Sequence, residues 1–245
     1  PWVLLKYADI VIVHSFGLKN LLSKRTSERK IHVIKHFDYR YLLDTDTRAN
    51  FGKHGMPTKE YILFFGHIAP YKGIDVLINA AKMVRDELQN RSLNFLIAGS
   101  GDSSYYDSLL TNDDYENIHI LNRRIKTDEI PSLFNNSLFL VLPYTSASMY
   151  TVSGVIPLAY TFSKPVIVSD VNTLTEYVDR DITGFIFKSG NSAQLAKCIL
   201  DLVQDKSKLI EMGERAYQKM IKEMSLERCC ELLNNLYHGI AKTDQ

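Results

Sequence analysis

Three cysteines in 245 residues, two of them the neighbours Cys229 and Cys230, leave no disulfide framework, so a reducing, cytoplasmic setting is expected. There is no CxxC pair. His32 and His36 stand four apart in a stretch that reads as a strand, where that spacing does not make a helical ligand pair. No run of carboxylates suits calcium, and no GxSxG elbow offers a serine nucleophile. No apolar run approaches the roughly 18–20 residues that span a bilayer, and no leader pattern is visible. A formal charge of +1, from 29 basic and 28 acidic residues, argues against a dedicated nucleic-acid binder. Internal repeats and low-complexity tracts are also absent. What remains is an ordinary globular composition, 45% apolar and 23% charged. The chain begins at Pro1 and reads as a piece of something longer.

From residue 61 onward apolar runs alternate with helical patterns. Residues 62–65, 94–98, 118–121, 138–142, 165–169 and 184–187 read as strands buried on both faces. Between them, Leu77, Ala81, Val84 and Leu88 share one helical face, and Leu195, Ile199 and Leu202 begin another. A shorter helix is expected over 128–134 after Thr127. Ser225 is expected to cap a last helix with Leu226, Cys230, Leu233, Tyr237 and Ile240 inward. Ahead of this region, residues 7–14 read as a strand, 18–23 as a short helix, 31–34 as a further strand and 39–60 as a connector. Such alternation predicts an α/β fold with a parallel sheet covered by helices. Ligands of such sheets bind at the carboxyl ends of the strands, near the switch in strand order.

The loops after the strands therefore carry the candidate residues. In residues 61–80 an apolar run stops at Gly66, a polar turn follows, and Lys72 and Gly73 open a helix. Lys72 either neutralises a phosphate or is an ordinary surface lysine, and His67 either meets a ligand or lies in solvent. Gly99 and Gly101 permit close approach by a ligand or by another backbone. Arg123 and Arg124 suit phosphate or a base, or are simply surface arginines. The segment 144–154 (YTSASMYTVSG) is rich in hydroxyls and long for such a connection. It places Ser153 and Gly154 before a helix, an arrangement suited to anions. Glu176 either accepts hydrogen bonds from sugar hydroxyls or is an exposed helix glutamate.

Taken in order, FFGHIAPYKGID (64–75), LIAGSGD (96–102), SGVIPLAYTFSKPVIVSD (153–170) and EYVDRDITGFIF (176–187) resemble the C-terminal half of a GT-B fold glycosyltransferase of family 4, the glycosyl transferases group 1. The resemblance runs from about residue 7 to residue 240. It implies a Rossmann-like, doubly wound parallel sheet that binds a nucleotide-sugar donor. Residues 1–45 would be the end of the N-terminal, acceptor-side domain, 46–224 the donor-binding domain, and 225–245 a helix returning to the N-terminal side.

By the same resemblance Lys72 would contact the donor diphosphate and act in catalysis. Gly66, His67, Gly73, Gly99, Tyr150, Thr151 and Glu176 would line the donor site. Arg124 and Ile125 would present backbone to the base, and Ser153, Gly154 and Val155 would lie beside the phosphates and sugar. The implied reaction moves a hexose, with retention, to a saccharide or lipid-linked acceptor in polysaccharide assembly. No metal or other cofactor is implied, because helix dipoles and cations would stabilise the leaving diphosphate. Such a half would be inactive alone. The residues depart from the family pattern at three places. His67 stands where many members have arginine, and Tyr150 and Leu158 stand where many have glutamates. A degenerate nucleotide-binding or interaction domain of the same fold, and a sugar-nucleotide epimerase, are the alternatives. The basic stretch 24–35 is a candidate for peripheral membrane contact.

Overall fold

Short apolar runs, each closed by a glycine or a polar turn, set the architecture. The computed structural model describes residues 2–44, 57, 60–88, 93–102, 104–105, 109, 117–145 and 152–241. In chain order the elements are α1 (Trp2–Tyr7), β1 (Val11–Val13), α2 (Phe16–Leu22), β2 (Ile31–Val33), β3 (Tyr61–Phe65), α3 (Ile74–Leu88), β4 (Asn94–Gly99), β5 (Ile118–Asn122), α4 (Ile130–Asn135), β6 (Ser137–Leu142), α5 (Val155–Thr161), β7 (Val166–Ser169), α6 (Asn172–Thr175), β8 (Gly184–Phe187), α7 (Ser192–Gln204), α8 (Lys206–Met224) and α9 (Leu226–Ala241).

Six strands form one parallel sheet in the order β5-β4-β3-β6-β7-β8. This is the doubly wound Rossmann order, and it reverses between β3 and β6. Successive strand side chains point to opposite faces. Ile62, Leu63 and Phe64 are all fully buried, as are Leu140, Val141 and Leu142, so helices cover both sides of the sheet. Helix α3 packs on α7, and α5 packs on α8. The last pair meets closely: a Cβ on Gly213 would stand 2.2 Å from the Ser163 carbonyl oxygen. Among the described residues no helix is long and apolar enough to cross a membrane.

A second, two-stranded parallel sheet pairs Val11–Val13 with Ile31–Val33. The segment after β2 leads from it to the large sheet and is held at both ends. Asp38, almost fully buried, donates its N–H to the Met224 carbonyl at 2.8 Å. Its carboxylate accepts from Leu226 N at 3.1 Å, Arg40 N at 2.9 Å and Arg40 Nε at 2.9 Å. It therefore caps the first turn of α9. Tyr39 N donates to Thr161 Oγ1 at 3.1 Å, which seats the same segment on α5.

Three expectations are corrected. Residues 7–14 are not one strand: Tyr7 ends α1, and only three residues pair, because β2 offers only three partners. The face of α9 is displaced by about one residue. Leu226 is 50% and Tyr237 65% exposed and Cys230 lies outside, whereas Cys229 is buried. Asp38 fixes the start of that helix, and Cys229 Sγ reaches the Lys35 carbonyl at 3.5 Å, which together set its rotation. Ser225 does cap α9, its Oγ accepting from Arg228 N at 3.2 Å. The third correction is α8, a helix of 19 residues where none was expected.

Candidate functional site

The loops after β3 and β6 meet at the strand-order switch. Pro70–Lys72 forms one 3-10 turn, and Gly73 follows with φ 66° in the left-handed region, where glycine is at no disadvantage. A Cβ at Gly73 would lie 2.0 Å from the Pro143 carbonyl oxygen, so the β3 loop rests directly on the end of β6. Thr145 N donates to the Tyr71 carbonyl at 2.9 Å and ties the same two loops again.

This packing buries Lys72, which is 7% exposed. Its ammonium sits 3.7 Å from the centroid of the Tyr144 ring and 5.1 Å from that of Tyr71. Among the described residues no carboxylate lies within ion-pair distance of it. Aromatic faces attract a cation, but burial still pushes the Lys72 pKa down to about 8. The reading of Lys72 as an ordinary surface lysine is thereby set aside. A sheltered cation without a counter-charge is complementary to an anion brought by a ligand.

Ser153 reaches the same place from the other side of the loop. Its Oγ is 3.1 Å from the Tyr144 hydroxyl and accepts weakly from Val155 N at 3.4 Å. Lys72 and Ser153, far apart in sequence, thus touch one tyrosine. Gly154 precedes α5 beside Tyr39, whose hydroxyl would be 3.0 Å from an added Cβ. Helix α5 has only seven residues, so its dipole is a small part of any anion affinity. Tyr150 and Thr151 lie outside the described residues. Leu158, at a position where many family members carry glutamate, is 4% exposed and packs into the core.

The other candidates border the switch or lie off it. A Cβ on Gly99 would stand 1.7 Å from the Gly66 carbonyl oxygen, so the close approach that Gly99 permits is to another backbone. His67 is exposed in the turn between them. Arg124 is exposed beyond β5, the edge strand, and Ile125 packs partly against the core. Arg123 grips the Glu129 carboxylate with two bonds of 2.7 and 2.8 Å. Glu176 is the clearest departure from expectation. Its carboxylate accepts from Phe16 N at 2.6 Å and Gly17 N at 2.7 Å, closing the first turn of α2, so it joins the two sheets and its oxygens are committed to backbone. Among the described residues no three His, Cys, Asp or Glu side chains gather as metal ligands would.

Sequence reasoning passed over Tyr144, Tyr71 and Tyr39. Tyr144 could have been noticed: it is the aromatic first residue of the hydroxyl-rich segment 144–154, two positions past the end of β6.

A buried cation and a serine hydroxyl thus stand at the switch of a doubly wound sheet. A family model described as "Glycosyl transferases group 1" matches residues 46–219. The chain belongs to this family. It is similar to an uncharacterized glycosyltransferase of Methanocaldococcus jannaschii, with 28% identity over 243 residues, covering 96% of this chain and 62% of that protein. Its fold is similar to that of sucrose-phosphate synthase from Thermosynechococcus elongatus, with a TM-score of 0.80, 19% identity, and coverage of 99% of this chain and 61% of the other. It is equally similar to the Anabaena protein HepE crystallised with UDP and glucose, with a TM-score of 0.81, 19% identity, and coverage of 97% and 65%. The chain therefore spans less than two thirds of the length of each of these three proteins.

Proposed function

We propose that this chain is the donor-binding half of a retaining glycosyltransferase that moves a hexose from a nucleoside diphosphate sugar to a saccharide or lipid-linked acceptor. The observation that carries the reading is the Lys72 ammonium, buried at the β3–β6 switch over the rings of Tyr144 and Tyr71, with no carboxylate within ion-pair distance among the described residues. As the bond from sugar to phosphate breaks, negative charge grows on the departing diphosphate. A cation already held in a sheltered site stabilises that charge with little reorganisation. The Ser153 hydroxyl, bridged to Lys72 through Tyr144, would donate to a phosphate oxygen. Arg124 and Ile125, past the end of β5, would present backbone to the base. Family membership and the UDP-bound HepE relative support a nucleotide-sugar donor.

Titration calorimetry with UDP, GDP and ADP tests the reading. Micromolar affinity for one of them, lost in Lys72→Ala, is the expected result, and no heat with any of the three overturns it. A non-catalytic nucleotide-binding module is the second reading, favoured by Leu158, which is packed into the core and offers no acceptor to a ribose. It predicts nucleotide binding without sugar transfer in the full-length protein. Peripheral contact of residues 24–35 with an anionic membrane is a further part of the proposal, read by sedimentation with and without anionic liposomes.

A further inference from the structure

Tyr144 touches both polar groups of the candidate site. Its side chain is fully buried. Its backbone is fixed on several sides: its carbonyl accepts from Ser169 Oγ at 2.6 Å and Ser189 Oγ at 3.1 Å. The preceding Pro143 bears on Gly73, and the following Thr145 bonds to Tyr71. A ring so anchored can hold other groups in place. One of its faces lies under the Lys72 ammonium at 3.7 Å, close contact for a cation on an aromatic face. Its hydroxyl, kept neutral by burial that pushes its pKa up to about 12, meets Ser153 Oγ at 3.1 Å.

We propose that Tyr144 is a positioning residue for a diphosphate ligand, holding the Lys72 ammonium by its ring face and the Ser153 hydroxyl by its phenol, and so fixing the spacing between them. The proposal rests on the donor-binding reading for the ligand, but not for the geometry. The ring supports the charged form of Lys72 in a place where solvent does not. The phenol restricts the serine rotamer. An aliphatic residue of similar size would fill the core equally well and do neither.

The test compares the intact chain with Tyr144→Phe and Tyr144→Met. The Lys72 titration is followed without ligand by NMR of its ε-methylene group, and UDP, GDP and ADP affinities are measured at pH 7.5. Tyr144→Phe keeps the ring, so its lysine titrates as in the parent, and nucleotide affinity falls by about threefold through the loosened serine. Tyr144→Met lowers the lysine midpoint by about one pH unit and weakens affinity by about tenfold or more. A folded Tyr144→Met chain with an unchanged or raised lysine midpoint shows a mere core filler and overturns the proposal.

If Tyr144→Met does not fold, Tyr144→Phe combined with Ser153→Ala decides. The two effects on affinity overlap if the phenol acts through the serine, and simple multiplication of the two losses overturns the proposal. If no nucleotide binds the parent chain, the donor-binding reading falls, while the lysine titration still judges Tyr144. In that case, should Tyr144→Met also fail to fold, Tyr144→Trp is titrated: an aromatic replacement keeps the lysine midpoint, and a midpoint lowered as far as burial alone dictates overturns the role of the ring.

Discussion

Glu176 Oε1 accepts the backbone N–H of Gly17 at 2.7 Å, across 159 positions of sequence, and Oε2 takes the N–H of Phe16 at 2.6 Å. With Ser15 Oγ accepting from Leu18 N at 3.1 Å, the first three amides of α2 are all paired. The small sheet is thus tied to the large one by a carboxylate at a helix start, where negative charge is favoured. Glu176→Ala is expected to lower stability by about 2 kcal/mol, the scale of charge-assisted hydrogen bonds that are partly solvated. Hydrogen exchange at Phe16 and Gly17 would rise well above that in β3 and β6. Uniform acceleration throughout would show that the tie is not local.

The contact of Gly99 with Gly66 gives a graded pair. A Cβ at Gly99 would overlap the Gly66 carbonyl oxygen at 1.7 Å, and that oxygen is backbone and cannot swing away. At Gly66, whose φ is 138°, an added Cβ meets nothing within 4 Å, so only the unfavourable backbone conformation opposes it. Gly99→Ala is expected to cost about 3 kcal/mol or more, and Gly66→Ala about 1–2 kcal/mol. Urea unfolding of the two variants checks the order, and equal losses would contradict it.

The six strands of the large sheet were legible to within one residue, because each is an apolar run ended by a glycine or a polar turn. The candidate site was expected at the carboxyl ends of these strands because ligands of such sheets bind there. Helix α8 was missed although its pattern is present. Asp205 accepts from Lys208 N at 2.9 Å, and Met212, Ala216, Met220 and Met224 recur every four residues. Its many charged residues hid a stripe made of methionine and alanine. The rotation of α9 was not readable, since it is set by Asp38, nearly 190 positions away. The partners of Glu176 were not readable for the same reason: they are backbone amides of α2, which no local pattern announces. Tyr144 lay inside the loop singled out for its hydroxyls, but its role beside Lys72 needs the contact between two loops some 70 residues apart.

His14 and His36 stack at 4.1 Å where the small sheet meets the segment leading to the large one. His14 Nδ1 pairs with the Ile34 carbonyl at 2.8 Å, and Tyr177 donates to the His14 carbonyl at 2.7 Å. Burial, and then the neighbouring His14, hold the His36 pKa below its ordinary value. The unfolded chain then binds the proton first, so stability is full above about pH 6.5 and declines as pH falls below it. His36→Gln removes the titrating group and is expected to flatten this acid limb. Urea midpoints at pH 7.5 and 5.5 measure it. An acid limb as steep as the parent's would assign the effect elsewhere.

Lys72 carries the same sign at a higher pH. Its pKa in the folded chain is pushed down to about 8 by burial, whereas the unfolded chain keeps it near 10.4. At neutral pH the folded protein carries a charge it would hold more readily if unfolded. Stability should therefore rise as pH climbs from about 8 to 10. Lys72→Met removes the buried charge, so it is expected to stabilise the ligand-free chain by about 2–3 kcal/mol at pH 7, with the gain vanishing by about pH 10.5. The same substitution should abolish nucleotide affinity, making the site a place where function is kept at a cost in stability. Binding supplies the complementary signature. At pH 8.5 most of the free lysine is neutral, and a diphosphate seated against it draws the pKa back up, so proton uptake should accompany binding. Calorimetry in two buffers of different ionisation enthalpy reads that uptake directly, and it should disappear at pH 6.5, where the ammonium is already formed. Equal uptake at both values would place the titrating group outside Lys72.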